Sequence, residues 1–233
     1  MTSRPEAQHF NSSQLRSLQR LVQQGESDKL EFKRKANFPV KIIREMVAFA
    51  NTSGGKLLVG VADDGTIAGV KFPDEESHVI NKALANCCRP SLTFTETVIP
   101  VGDRKFVLLL DIPPSKSKPH YIVMGKTKRD SYVRQADRSI RASRELVEIM
   151  RRQRTPKDIR FNYGEKEAQL IQYLTDNSYI TLADYMKLGR LSRYKASRKL
   201  ILLVLANVLQ IIPFERGDRY ALKDNVKIVT GGM

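Results

Sequence analysis

Apolar residues first recur at helical spacing after Ser12 or Ser13, as Leu15, Leu18, Leu21 and Val22, and Gly25 stops the run. From Lys29 to Lys35 the period changes to two. Leu30 and Phe32 fall on one side, and Glu31, Lys33 and Lys35 on the other, which predicts a half-buried strand with Glu31 and Lys33 on its open face. Pro39 suits the first position of a helix that carries Ile42, Ile43, Met46, Val47 and Ala50 inward and stops at Asn51-Thr52-Ser53-Gly54-Gly55. The unbroken apolar run Lys56 to Val61 predicts a central strand. Asp63-Asp64-Gly65 then turns the chain, with Thr66 to Val70 expected as the hairpin partner.

A helix is expected over 74–88, then strands over 92–100 and 105–112, a Pro/Ser/Lys loop over 113–120, and short strands at Tyr121–Met124 and Tyr132–Arg134. Ser139 or Arg141 is expected to open a helix through Arg154, with Leu146, Val147 and Met150 inward. The composition shifts at Thr155-Pro156. The expected organisation is therefore one domain over 1–154, a linker over 155–163 and a small domain over 164–233. In the small domain, helices over 165–176, 182–187 and 192–209 precede a hairpin built on Ile211-Ile212 and Tyr220-Ala221-Leu222, which is the order of a winged helix. The fold class expected is α+β: a mixed sheet flanked by helices, followed by a small winged-helix domain.

Charge changes the picture most. The 233 residues hold 40 Lys+Arg against 25 Asp+Glu, a formal +15, so a polyanion is the expected partner, and nucleic acid, RNA or DNA, is the commonest one. The basic residues cluster. One run extends from Arg138 to Arg160, and a second opens the last helix. Candidate nucleic-acid contacts are Arg134, Arg138 and Arg141 in the first region and Arg193, Lys195, Arg198 and Lys199 in the second. The first run serves equally as a solvated face. The last helix serves equally in packing or dimerisation, because its second half, LILLVLANVLQ, is almost wholly apolar.

The two cysteines, Cys87 and Cys88, are adjacent and support neither a disulfide framework nor a zinc site. No signal-peptide pattern opens the chain, and no apolar run approaches the roughly 18 residues of a spanning helix. A soluble cytoplasmic protein with no membrane partner is expected. Gly125-Lys126-Thr127 imitates the end of a P-loop, but His120 stands where that loop needs a glycine. Gly54-Gly55 precede a strand, so they are no dinucleotide fingerprint.

The candidate chemistry lies in 25–65. Phosphodiester hydrolysis with Mg²⁺ or Mn²⁺ needs hard oxygen ligands that converge on one ion. Glu31 on one strand and Asp63 at the end of the next could converge if the strands are neighbours, and Lys33 could steady the attacking hydroxide or the transition-state phosphate. Spacing alone favours surface turns and salt bridges, and it does not bring in Glu26. Carboxylates gathered without a metal should raise one another's pKa.

The ordered motifs GES-x3-EFK from Gly25, FANTSGG-x-L-x-VGV-x-DDG-x-I-x-G from Phe49, and the later YVR resemble the Schlafen AlbA-type domain over about residues 12–150. That resemblance implies an AlbA-like fold, nucleic-acid binding and, in bacterial members, a following helix-turn-helix. In nuclease-active Schlafens two glutamates and a later aspartate form a metal-dependent RNase site for tRNA-like substrates. Carried over, these are Glu26, Glu31 and Asp63 as catalytic and metal residues, with Lys33 beside them. Animal Schlafen cores hold two lobes and a zinc site, so this single lobe implies a homodimer. Three functions are expected to compete: a metal-dependent endoribonuclease, a non-enzymatic DNA-binding transcriptional regulator using the winged helix, and, weakest, an ATP-binding protein without a recognisable phosphate cradle.

Overall fold

The structure is a computed structural model that describes residues 12–125, 128–154 and 163–223. Residues 1–11, Lys126 and Thr127 of the P-loop look-alike, and all but the end of the expected linker lie outside the described residues. The chain divides into two compact units. One comprises the chain to Ser115 with His120–Ser139, and the other Lys116–Pro119 with the chain from Ile140 onward.

The first unit is built on β1 (Leu30–Lys33), α2 (Pro39–Asn51) and β2 (Gly55–Val59), preceded by α1 (Ser12–Gln23). β1 and β2 are parallel neighbours, and such neighbours need a crossover, which α2 supplies. β5 (Lys105–Ile112) pairs antiparallel with β2, and β4 (Thr95–Gly102) with β5. The sheet order β1-β2-β5-β4 therefore places β2 inside a mixed sheet, as its unbroken apolar run requires.

Alternation sorts the side chains into two layers. Leu57, Val59, Leu108 and Leu110 pack under α2 and under α3 (Pro73–Cys87), which contributes Ile80 and Leu84. Leu30, Phe32, Leu58 and Val107 face the other way, against Leu18 of α1. Glu31 pairs in register with Leu57, and Lys33 with Val59, so both lie on the α2 side. That face is covered, and Glu31 is buried. The expectation of an open strand face is corrected: helices cover both sides of the sheet.

β3 (Cys88–Arg89), β6 (Tyr121–Met124) and β7 (Lys128–Asp130) form a second sheet. β8 (Tyr132–Gln135) pairs with β9 (Arg138–Arg141), within which the chain passes from one unit to the other. The hairpin partner expected over 66–70 is reduced to single bridges. Val61 meets Ile67, and the chain then turns aside so that Val70 meets Phe106 of β5.

In the second unit α4 (Arg144–Gln153) starts later than expected, because Ser143 caps it by accepting the Leu146 N–H at 3.0 Å. Glu145, Leu146, Ile149 and Met150 are its buried residues, and Val147 is only half-buried. Ile149 shares a core with Leu170, Leu174, Leu200 and Leu203, which explains why this unit begins at Ile140 rather than after Thr155. α5 (Glu165–Asp176), β10 (Ile180–Thr181), α6 (Leu182–Gly189), α7 (Arg193–Leu205), β11 (Leu209–Ile212) and β12 (Arg219–Leu222) follow, with a sheet in the order β10-β12-β11. α7 is shorter than expected, since Asn207 takes a φ of 60° and turns the chain into β11.

The glycine pair closing α2 is required by packing. Gly54 has a φ of +77°, and a Cβ there would lie 2.7 Å from the Ile112 carbonyl oxygen. A Cβ on Gly55 would run into the buried Phe49 ring. Gly55→Ala is expected to lower the stability of the protein by about 1–3 kcal/mol through overpacking. Urea unfolding should show this as a lower midpoint at an unchanged slope; an unchanged midpoint would mean the ring moves aside at no cost.

Candidate functional site

Arg134 organises the carboxylates of the first unit. β8 runs beside α2 and points this guanidinium under the helix, where the side chain has no exposed surface. Nη1 donates to Glu31 Oε2 at 3.0 Å, to Glu45 Oε2 at 2.8 Å and to Ser139 Oγ at 3.2 Å. Nη2 donates to the Ser27 carbonyl at 2.6 Å, and the guanidinium carbon lies 4.8 Å from the centre of the Phe49 ring. Its backbone N–H is anchored on Thr52 Oγ1 at 2.9 Å. The other oxygen of Glu31 accepts from Lys33 Nζ. Residues from GESDKLEFK, FANTSGG and YVR therefore meet at one buried ion cluster.

Glu26 Oε1 accepts the Phe32 N–H at 2.9 Å. Burial raises its pKa most; the Phe32 N–H opposes this, and the charges of Glu31 and, more weakly, Asp63 push it further up. At Glu26, burial therefore outweighs like-charge repulsion. Asp63 is exposed in the turn after β2, next to Asp64, whose carboxylate accepts the Thr66 N–H at 2.8 Å.

As donors, Glu26, Glu31 and Asp63 have the right chemistry for Mg²⁺ or Mn²⁺. Their arrangement does not fit one. Lys33 and Arg134 take both oxygens of Glu31, and among the described residues no three acidic, histidine or cysteine side chains are grouped to hold a metal.

Glu45 and Asn51 are central here and were missed in the sequence. Glu45 sits at helical spacing between the inward Ile42 and Phe49, and a charged residue on an apolar stripe was the available signal. Asn51 is buried and donates to the carbonyls of His120 and Tyr132 and to Ser131 Oγ, while accepting the His120 N–H at 2.8 Å. No local pattern in FANTSGG announces such distant partners.

The basic candidates separate. Arg134 is buried and ion-paired through Nη1, while its Nε has no hydrogen-bond partner, so its assignment as a nucleic-acid contact is corrected to a structural ion pair. Lys199 is half-buried and paired with the buried Glu167, so it too is drawn inward. Arg138 and Arg141 are exposed on β9. Arg193, Lys195 and Arg198 are exposed on α7 beside Tyr194, which is 72% exposed. Ser192 caps that helix through the Lys195 N–H, and Ala196, Leu200 and Leu203 bury its opposite side. Arg144, Arg193, Arg198 and Tyr194 line a groove of about 810 Å³ together with Glu145, Glu148, Ile201 and Leu202. Among the described residues no helix is long and apolar enough to cross a membrane.

Residues 26–143, just over half of the chain, match the family described as Schlafen, AlbA_2, and the protein belongs to that family. Two solved structures are similar to it. One is the N-terminal domain of an ATP-dependent DNA helicase RecG-related protein from Nitrosomonas europaea, with 24% identity and a TM-score of 0.38, covering 48% of this chain and 82% of that one. The other is a protein from Corynebacterium diphtheriae, with 16% identity and a TM-score of 0.43, covering 82% of this chain and 36% of that one. No curated protein matches the sequence.

Burial also raises the pKa of Glu45; the Ser139 hydroxyl opposes it, Glu31 adds to it, and Arg134 and Lys33 reduce it. The folded protein thus holds this proton to higher pH than the unfolded chain. The stabilisation is present below the ordinary glutamate value and is lost as pH rises through the raised one. Glu45→Gln should therefore gain stability relative to the wild type as pH rises through that window. Thermal melts of both proteins against pH provide the check, and parallel profiles would contradict the shift.

Proposed function

We propose that this protein binds nucleic acid, that its second unit is a winged helix, and that α7 docks in the major groove of duplex DNA as part of a regulator. The observation that carries this reading is the presentation of Arg193, Tyr194, Lys195 and Arg198 on the exposed side of α7 while the other side is locked in the core. Guanidinium groups at a helix start can read guanine edges and bind phosphates, and the formal +15 favours association with any polyanion. Family membership supports the same class of partner.

Arg193→Ala with Lys195→Ala should weaken duplex binding at least tenfold. The salt dependence of binding should become shallower by about 0.9 logarithmic units for each phosphate no longer neutralised. Fluorescence anisotropy across a salt series measures both. Unchanged affinity would leave α7 as a packing helix.

A second reading is a metal-dependent endoribonuclease acting on structured RNA such as tRNA, and one observation favours it: Glu26 Oε1 accepts the N–H of Phe32, the residue after Glu31, which folds Glu26 back onto the strand that carries Glu31. Because Glu31 is held by Arg134 and Lys33, this reading requires an arrangement of the cluster other than the one described. The homodimer implied by a single lobe belongs with it, since two lobes would form the groove. Its expected outcome is Mn²⁺-dependent cleavage of tRNA by the wild type that Glu31→Gln abolishes. No cleavage across Mg²⁺, Mn²⁺ and several RNAs sinks it.

A further inference from the structure

Two helices of the first unit begin in the same unusual way. Phe38-Pro39 opens α2 and Phe72-Pro73 opens α3. Proline at the first helical position is ordinary, but phenylalanine at the cap is not, because its side chain cannot accept the free N–H groups of the first turn. Neither phenylalanine makes a side-chain cap hydrogen bond. Their backbones are nearly identical, with φ −123° and ψ 73° at Phe38, and φ −125° and ψ 79° at Phe72. Both rings project into solvent, at 66% and 63% exposure. Two helix starts thus forgo their caps to display an aromatic ring in the same manner.

The surroundings are basic. A groove of about 400 Å³ beside Phe72 is lined by Arg34, Lys35, Lys71 and Lys105, with Glu75 and Glu76 on its acidic side. Its walls are tied together by backbone. Val70 and Phe106 exchange two hydrogen bonds of 2.7 and 2.9 Å, which fixes Lys71 and Lys105 immediately beyond the pair. Glu76 Oε2 accepts the Ala36 N–H at 2.6 Å, which fastens the loop carrying Arg34, Lys35 and Phe38 to the first turn of α3. That bond engages one of the two carboxylates internally. At the other ring, Lys41 Nζ lies 4.9 Å from the centre of Phe38.

Two exposed rings, each with cations beside it, suit a strand whose bases are unpaired. Each base offers a face for stacking, and the phosphates between bases meet lysine and arginine. A duplex buries its base faces and could use only the cations. We propose that Phe38 and Phe72, with Arg34, Lys35, Lys71 and Lys105, form a surface that binds single-stranded nucleic acid, separate from α7 and independent of the duplex reading.

The test uses the full chain and labelled single strands of about 12 nucleotides, DNA and RNA, within the length that such stacking surfaces engage. A DNA hairpin duplex stands beside them, and fluorescence anisotropy reads all three. Phe38→Ser with Phe72→Ser is the diagnostic variant, since it removes two exposed rings and leaves the buried core untouched. It should melt no lower than the wild type while its affinity for the single strands falls at least tenfold and that for the duplex is retained. Lys71→Glu with Lys105→Glu should weaken the same probes, whereas Arg193→Ala with Lys195→Ala should leave single-strand binding within about twofold. Unchanged single-strand affinity in the serine variant overturns the proposal and leaves the rings to a protein partner. An equal loss on duplex and single strand also overturns it, since the rings would then not be stacking on unpaired bases.

Discussion

The first unit depends on one buried guanidinium. Arg134 is shielded from water and carries Glu31 from β1, Glu45 from α2, the Ser27 carbonyl from the turn before β1, and Ser139 from β9. A charge this deep is tolerable only when it is paired; both terminal nitrogens of Arg134 donate, although its Nε has no partner, and removing one ion-pair partner leaves the other uncompensated at about 3–5 kcal/mol. The same constraint links the motifs. GES positions Ser27 and Glu26, EFK supplies Glu31 and Lys33, FANTSGG supplies Phe49 beneath the guanidinium and Thr52 on its backbone, and YVR supplies the arginine itself.

This pairing reorders the functional reading. Carboxylates that looked like metal ligands are, for Glu31, half of an ion pair and, for Glu26, the anchor of the Phe32 amide. Exposed positive charge is found instead on β9, on α7 in the second unit and around the Phe72 groove in the first. A nucleic-acid binder with its charge on those surfaces agrees with the family and with the excess of basic residues.

Much of the fold was legible because it rests on period and punctuation. The alternation around Leu30, the inward stripe of α2 and the apolar run of β2 place the β1-α2-β2 unit to within a residue or two. What failed was the environment of individual side chains. The polar face of β1 looked open because Glu31 and Lys33 alternate with Leu30 and Phe32, yet the burial of Glu31 is made possible by a partner 103 residues away. Arg134 read as a surface cation for the same reason. The helix expected to begin at Ser139 or Arg141 shows a local failure, because both residues lie in β9 and the cap falls on Ser143, which accepts the Leu146 N–H.

A double-mutant cycle between Arg134→Met and Glu31→Gln, followed by denaturant unfolding, tests the central claim that Glu31 is held as a structural ion pair. The account predicts a coupling of at least about 1 kcal/mol, with the double variant more stable than Arg134→Met alone because the stranded carboxylate is removed. Additive losses would contradict it, since Glu31 would then be independent of Arg134 and open to another ligand.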